Sequence, residues 1–241
     1  MSFFVRNKLS LMVCDMGGTI INEQGLVYSS LCKVLDNMGY EVNTKDVESW
    51  KGMDKREVLY NHINKIENHM IYDNYKETLK RVNEAENNLL LRLEKEYFKK
   101  NNIELIDDKL LDLFDGCRIN GVKVALNTGY PKEFQERIID YFNLGERIDT
   151  YISSEEVKMG RPYPYMIHNL MERCDIPSVK NVVKIGDTSK DMLEGKNAGC
   201  GLTIGVLSGG TNKERLVKDG DLIINKITDL RNDNDVPVFL L

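Results

Sequence analysis

Leu11-Met12-Val13-Cys14-Asp15-Met16-Gly17-Gly18-Thr19-Ile20 is an apolar run that stops on a carboxylate and gives way to two glycines and a threonine. A short apolar run closed by turn residues reads as a strand buried on both faces of a parallel sheet. Ligands of open α/β sheets gather at the carboxyl ends of such strands, so Asp15 stands where chemistry is expected. A strand-end Asp can equally cap the turn that follows it. The rest of the chain has to decide between the two.

Downstream, the first strand (residues 9–14) is followed by a long helical region. Leu26, Leu31, Val34, Leu35 and Met38 recur at helical spacing up to Gly39. Asp46–Trp50 continues as a short helix, Gly52 interrupts, and Lys55–Asn68 resumes. Tyr75–Lys100 carries Leu79, Val82, Leu89, Leu90, Leu93 and Phe98 among many charges, which reads as one amphipathic helix with a solvated face. No strand interrupts residues 26–100, so the sequence predicts a helical block inserted after the first strand.

From residue 103 the pattern alternates. Val122–Leu126 is a strand closed by Asn127-Thr128-Gly129, 132–142 a helix, 150–153 a strand, and 164–174 a helix after Arg161-Pro162. Then 181–185 is a strand closed by Gly186-Asp187-Thr188, 189–198 a helix, and 202–206 and 222–224 are strands. Strands separated by helices imply right-handed crossovers and a parallel sheet covered on both faces. The fold class is therefore α/β, with a Rossmann-like core in residues 1–21 and 103–241 and the helical insert in 22–102. Residues 231–241 read as a fraying tail.

Bulk composition narrows the function. The chain has 241 residues, 41% hydrophobic and 29% charged, with a net charge of −5 and Lys and Arg scattered among acids. That argues against nucleic acid as a partner, and the apolar runs are too short for a membrane span. The start lacks a signal-peptide pattern, and the five cysteines have no CxxC spacing, so reduced thiols in a cytoplasmic compartment are expected. His62, His69 and His168 have no metal-ligand spacing and read as packing or surface residues.

Four strand ends share one chemistry. Asp15 follows the first strand, Thr128 and Gly129 the second, Arg161 lies on the loop after the third, and Asp187 with Asp191 follows the fourth. Parallel strands bring these ends to one edge. Three carboxylates, a hydroxyl with neighbouring N–H groups and one or two cations make up a Mg²⁺-assisted phosphoryl-transfer site, since hard Mg²⁺ takes carboxylate oxygens and water.

At these residues the chain resembles the haloacid dehalogenase superfamily, and within it the phosphonatase-like hydrolases. Asp15-Met16-Gly17-Gly18-Thr19, Asn127-Thr128-Gly129-Tyr130, Gly160-Arg161-Pro162-Tyr163-Pro164 and Gly186-Asp187-Thr188-Ser189-Lys190-Asp191 match its four motifs. The resemblance implies that Asp15 is the nucleophile that forms an aspartyl-phosphate. It implies that Asp15, the Gly17 carbonyl and Asp187 hold Mg²⁺, with Asp191 beside the metal orienting the basic residue. Thr128 and Gly129 would bind phosphoryl oxygens. Arg161 would be the motif cation because it directly precedes Pro162, with Lys158 its rival. The helical insert would be a cap that excludes water and sets substrate choice, and a homodimer through that cap is one assembly consistent with it.

Two departures limit the carry-over. Most phosphatases of the superfamily carry a second Asp two residues after the nucleophile as general acid and base, worth roughly 10²–10⁴ in rate; here Gly17 stands there. Phosphonatases also lack it, because they activate an aldehyde as an imine on a cap lysine. Gly52-Met53-Asp54-Lys55 has the spacing of that cap loop, but Lys51 and Val58 stand where those enzymes carry methionine and histidine. Three roles for Lys55 follow: imine formation, binding of substrate charge, or a solvated surface lysine. The expected activity is Mg²⁺-dependent cleavage of a small phosphorylated or phosphonate metabolite through Asp15. The alternatives are phosphonoacetaldehyde hydrolysis using Lys55, and a catalytically weak binding or regulatory protein that keeps the fold.

Overall fold

The computed structural model describes residues 9–67, 75–99, 102–209 and 211–231. The chain forms two compact units, one from residues 1–22 and 105–241 and the other from residues 23–104.

The larger unit is built on six strands: β1 Leu11–Asp15, β4 Lys123–Thr128, β5 Thr150–Ser153, β6 Val182–Gly186, β7 Leu202–Val206 and β8 Leu222–Ile224. (β2 and β3 are the two-residue strands Ile21–Asn22 and Glu104–Leu105.) The sheet order is β5-β4-β1-β6-β7-β8 and every pairing is parallel. The expectation of a parallel α/β sheet is borne out. β1 is buried along its whole length, as its unbroken apolar run requires. The strand order reverses at β1, which opens a crevice at its carboxyl end.

Register sets what meets there. Asp15 lies beside Asn127, Cys14 beside Ile185, Thr128 beside Ser153, and Gly186 beside Gly205. The side chains that close these strands thus share one edge. Below it, Leu11, Val13, Ala125 and Ile152 pack with Met166, Ile167 and Leu170 of α7 (Tyr165–Arg173). Removing these apolar groups from water is the main force holding the edge in place.

Several boundaries differ from expectation. β1 takes in Asp15 and β4 takes in Asn127 and Thr128, so these are strand residues whose backbones the ladder fixes. The helix expected over 75–100 ends at Tyr97, and Lys100 lies outside the described residues. Helix α5, Leu110–Ile119, was not anticipated, although Leu110, Leu113, Phe114 and Cys117 are buried at the i, i+3, i+4, i+7 spacing of one helical face. Of the expected tail only Arg231 is described.

The smaller unit is helical: α1 Leu26–Asn37, α2 Thr44–Trp50, α3 Lys55–Glu67 and α4 Tyr75–Tyr97. Asn43 starts α2 with a reciprocal cap, its side chain accepting from Lys45 and Asp46 N–H while Asp46 accepts from Asn43 N–H. On α4, Thr78, Val82, Ala85, Leu89, Leu93 and Tyr97 form the buried stripe. His62 is a packing residue: it stands edge-on to Trp50 with centroids 5.2 Å apart, and its Nε2 lies 2.9 Å from the Glu41 carbonyl. His168 likewise bonds the Ala198 carbonyl, and His69 lies outside the described residues.

Candidate active site

Helix α8, Ser189–Ala198, shows how local folding aims one acid of the site. Thr188 caps it and Asp191 is the reciprocal residue of the capping box. Oδ2 of Asp191 accepts from both the N–H and the hydroxyl of Thr188. That fixes the carboxylate and turns Oδ1 toward two cations, Lys184 Nζ at 2.9 Å and Arg161 Nη1 at 3.2 Å. Neither cation makes a well-directed hydrogen bond to that oxygen.

Arg161 is the hub. Its Nη1 donates to Asp15 Oδ1 at 2.6 Å, Nη2 to the Asn127 carbonyl and Oδ1 at 2.9 and 2.7 Å, and Nε to Glu194 Oε2 at 3.2 Å. It is 3% exposed, Asp15 5%, Asp187 6%, and Asp191, Glu194 and Lys184 are fully buried. Oxygens of Asp15, Asp187 and Asp191 lie within 4.8 Å of one another. Burial pushes the Asp15 carboxyl above the usual carboxylate range, although Arg161 pulls it down. Burial acts the same way on Asp191, but there Arg161 and Lys184 together prevail and hold it below that range. Burial disfavours the Arg161 cation, yet Asp191, Asp15 and Glu194 raise its pKa further, so it stays protonated.

Two glycines let the backbone crowd Asp187. Gly18 has φ +79°, and a Cβ on it would stand 2.7 Å from Asp187 Oδ2; one on Gly209 would stand 1.9 Å from the same atom. Ser208 pins this arrangement, its hydroxyl donating to the Gly18 carbonyl at 2.6 Å. Gly17, just before Gly18, is half-buried and bridges to Ile21 across the turn that follows β1.

The residues anticipated for the site thus divide. Asp15, Arg161, Asp187 and Asp191 come together. Thr128 and Gly129 are buried at the end of β4, and Thr128 Oγ1 accepts from Tyr130 N–H at 3.2 Å. Lys158 is exposed, whereas Arg161 is on Asp15. Lys55 belongs to the helical unit, where it is 6% exposed rather than solvated; Nζ donates to the Met53 carbonyl at 2.9 Å and lies 5.3 Å from the Tyr28 ring centroid. Lys51 is paired with Glu48 at 2.9 Å.

Sequence reasoning missed Lys184, Glu194 and the side chain of Asn127. Asn127 Nδ2 donates to both oxygens of Glu194 at 3.0 Å, and its Oδ1 accepts from Lys184 at 2.7 Å. A lysine inside Val182-Val183-Lys184-Ile185-Gly186 was the available signal, because a charge in a fully buried strand demands a partner.

A divalent cation fits this donor set. Carboxylate oxygens suit a hard ion. Among the described residues this buried cluster brings the carboxylates of Asp15, Asp187, Asp191 and Glu194 together with the cations of Arg161 and Lys184, four formal negative charges and two positive ones.

Solved structures share this architecture. A phosphonoacetaldehyde hydrolase-like protein from Oleispira antarctica superposes with a TM-score of 0.76 over 95% of this chain and 92% of its own, at 19% identity. A beta-phosphoglucomutase from Clostridium difficile gives 0.75 over 94% and 95%, at 18% identity. The pattern of the haloacid dehalogenase-like hydrolases matches residues 12–204. The chain is an enzyme of that family, a haloacid dehalogenase-like hydrolase. Among curated relatives, a phosphonoacetaldehyde hydrolase from Bacillus mycoides is 36% identical over 106 residues, 43% of this chain and 39% of that protein. One from Parabacteroides distasonis is 40% identical over 101 residues, 42% and 38% of the two chains. The matches span about two fifths of these relatives' length.

Proposed function

We propose that this hydrolase transfers the phosphoryl group of a small phosphorylated or phosphonate metabolite to Asp15. The observation that carries the reading is the Arg161–Asp15 pair at 2.6 Å within a buried cluster of acids. Asp15, the Gly17 carbonyl and Asp187 would hold Mg²⁺, with Asp191 beside it; when bound, the ion supplies Lewis-acid neutralisation of phosphoryl charge. An Asp15 carboxylate oxygen bonds to phosphorus while the bond to the leaving group breaks and its electron pair departs with that group. Water then cleaves the aspartyl-phosphate, which restores the carboxylate and gives inorganic phosphate. Arg161 keeps Asp15 oriented, and Thr128 with the Gly129 amide receives phosphoryl oxygens. The helical unit serves as the cap, and the reduced thiols suit a cytoplasmic enzyme.

Gly17 leaves no acid at the position where most of the superfamily protonates the leaving group. That favours a second reading, cleavage of a carbon–phosphorus bond in phosphonoacetaldehyde, whose electron pair an imine on Lys55 would accept. The curated relatives' names point the same way. To act so, Lys55 must give up its proton and its contact with the Met53 carbonyl. One experiment covers both readings: phosphate release from a panel of phosphorylated metabolites and phosphonoacetaldehyde, by wild type and Asp15→Asn, with borohydride added to the aldehyde reaction. Turnover is expected to fall on the order of 10⁴-fold or more in the variant. Activity that survives the substitution would sink the nucleophile assignment, and an unmodified Lys55 under turnover would sink the imine.

A further inference from the structure

Beneath the acids that face the crevice lies a layer that the reaction just described does not use. Lys184 projects from the middle of β6 and is fully buried, with Nζ 2.7 Å from Asn127 Oδ1, 2.9 Å from Asp191 Oδ1 and 3.4 Å from Glu194 Oε2. Glu194 is also fully buried and accepts from Arg161 Nε and Asn127 Nδ2. Asn127 ties the layer together, since its Oδ1 also accepts from Arg161. Buried charges are costly unless they are paired and hydrogen-bonded, so each of these two depends on the other and on the residues of the site. A cation and an anion buried side by side, each one contact away from the residues of the site, can act on that site through charge.

We propose that Lys184 and Glu194 are a positioning pair that sets the electrostatic balance of the acid cluster. Glu194 holds Arg161 by Nε while its Nη1 is on Asp15, and Lys184 holds Asp191. Together they add one charge of each sign, so removing either alone shifts the charge that faces a divalent cation by one unit. Neither touches the reacting atoms. The proposal rests on the reading that Asp15, Asp187 and Asp191 take a divalent cation.

Because the pair acts through charge, its variants should move metal affinity in opposite directions, which a packing role would not do. Mg²⁺ affinity is to be measured by calorimetry on the full chain as wild type, E194Q, K184M and K184M/E194Q, with thermal unfolding as the check on folding. E194Q removes one negative charge and is expected to weaken Mg²⁺ binding on the order of tenfold. K184M removes one positive charge and is expected to tighten it by a similar factor, while turnover falls because Asp191 and Asn127 lose a partner. The double variant restores the balance and is expected to bind within about threefold of wild type. If all three variants weaken binding, or if the double variant fails to recover, the pair only packs and the proposal is overturned. Should K184M not fold, E194Q against the double variant still decides, and an E194Q affinity equal to wild type overturns the proposal. Absence of Mg²⁺ binding by the wild type would instead overturn the metal reading itself.

Discussion

The two units of this enzyme each have a characteristic ion pair, and the two are held differently. In the helical unit, ion pairs lie on the surface of an apolar stripe: Arg56 of α3 meets Glu86 of α4 with side chains 43% and 18% exposed. Beneath them Val82, Leu89 and Leu93 do the stabilising. In the sheet unit the apolar layer stops at the strand ends, and four acids and two cations are buried together instead. Surface pairs exchange water for one another at little net gain. Buried pairs forfeit hydration, so each partner depends on the others being present. The contrast separates pairs whose partners water can replace from pairs whose partners only one another can replace.

The sharpest way to break the comparison is Arg161→Met. It strips Asp15, Asp191 and Glu194 of a shared cation, and a loss of about 3–5 kcal/mol in urea denaturation is expected together with loss of turnover. A loss under about 1 kcal/mol would mean that the cluster relaxes as a surface pair does. Between the extremes stands Asp107, whose carboxyl is held down to about 2 by its hydrogen bond from the half-exposed Lys226. A depressed folded-state pKa gives stability that is present above the unfolded value of 3.8 and lost as pH falls from there toward 2. Wild type should therefore lose on the order of 1 kcal/mol more than Asp107→Asn over that window. Equal acid slopes in the two proteins would remove the pair from the account. The smallest effect is expected for Arg56 and Glu86. A double-mutant cycle with alanine should give a coupling of about 0–1 kcal/mol, weakening with salt, and a coupling above about 2 kcal/mol would erase the contrast drawn above.

The sequence made the sheet and the crevice acids visible because their signals are local. An apolar run, the carboxylate that ends it and the glycines that follow lie within ten residues, and the parallel register does the rest. The second layer was hidden because its partners are distant: Asn127 and Lys184 are 57 positions apart, Asn127 and Glu194 67. Glu194 is three residues beyond Asp191 on α8, so the spacing that places both on one helical face was present, but nothing in the sequence says which face. Lys184 interrupts an otherwise apolar strand, which signals a buried partner without naming it. α5 escaped for another reason. Its apolar stripe is periodic, but Asp112, Asp115 and Gly116 dilute it over only ten residues.

Asp191 carries a consequence for motion as well as for chemistry. One of its oxygens completes the first turn of α8 and the other faces Arg161 and Lys184. Unwinding of that turn would swing the carboxylate away from both cations at once. The rigidity of this strand edge is thereby bounded by the opening free energy of a single helical turn, and amide exchange at Asp191 reads that limit directly.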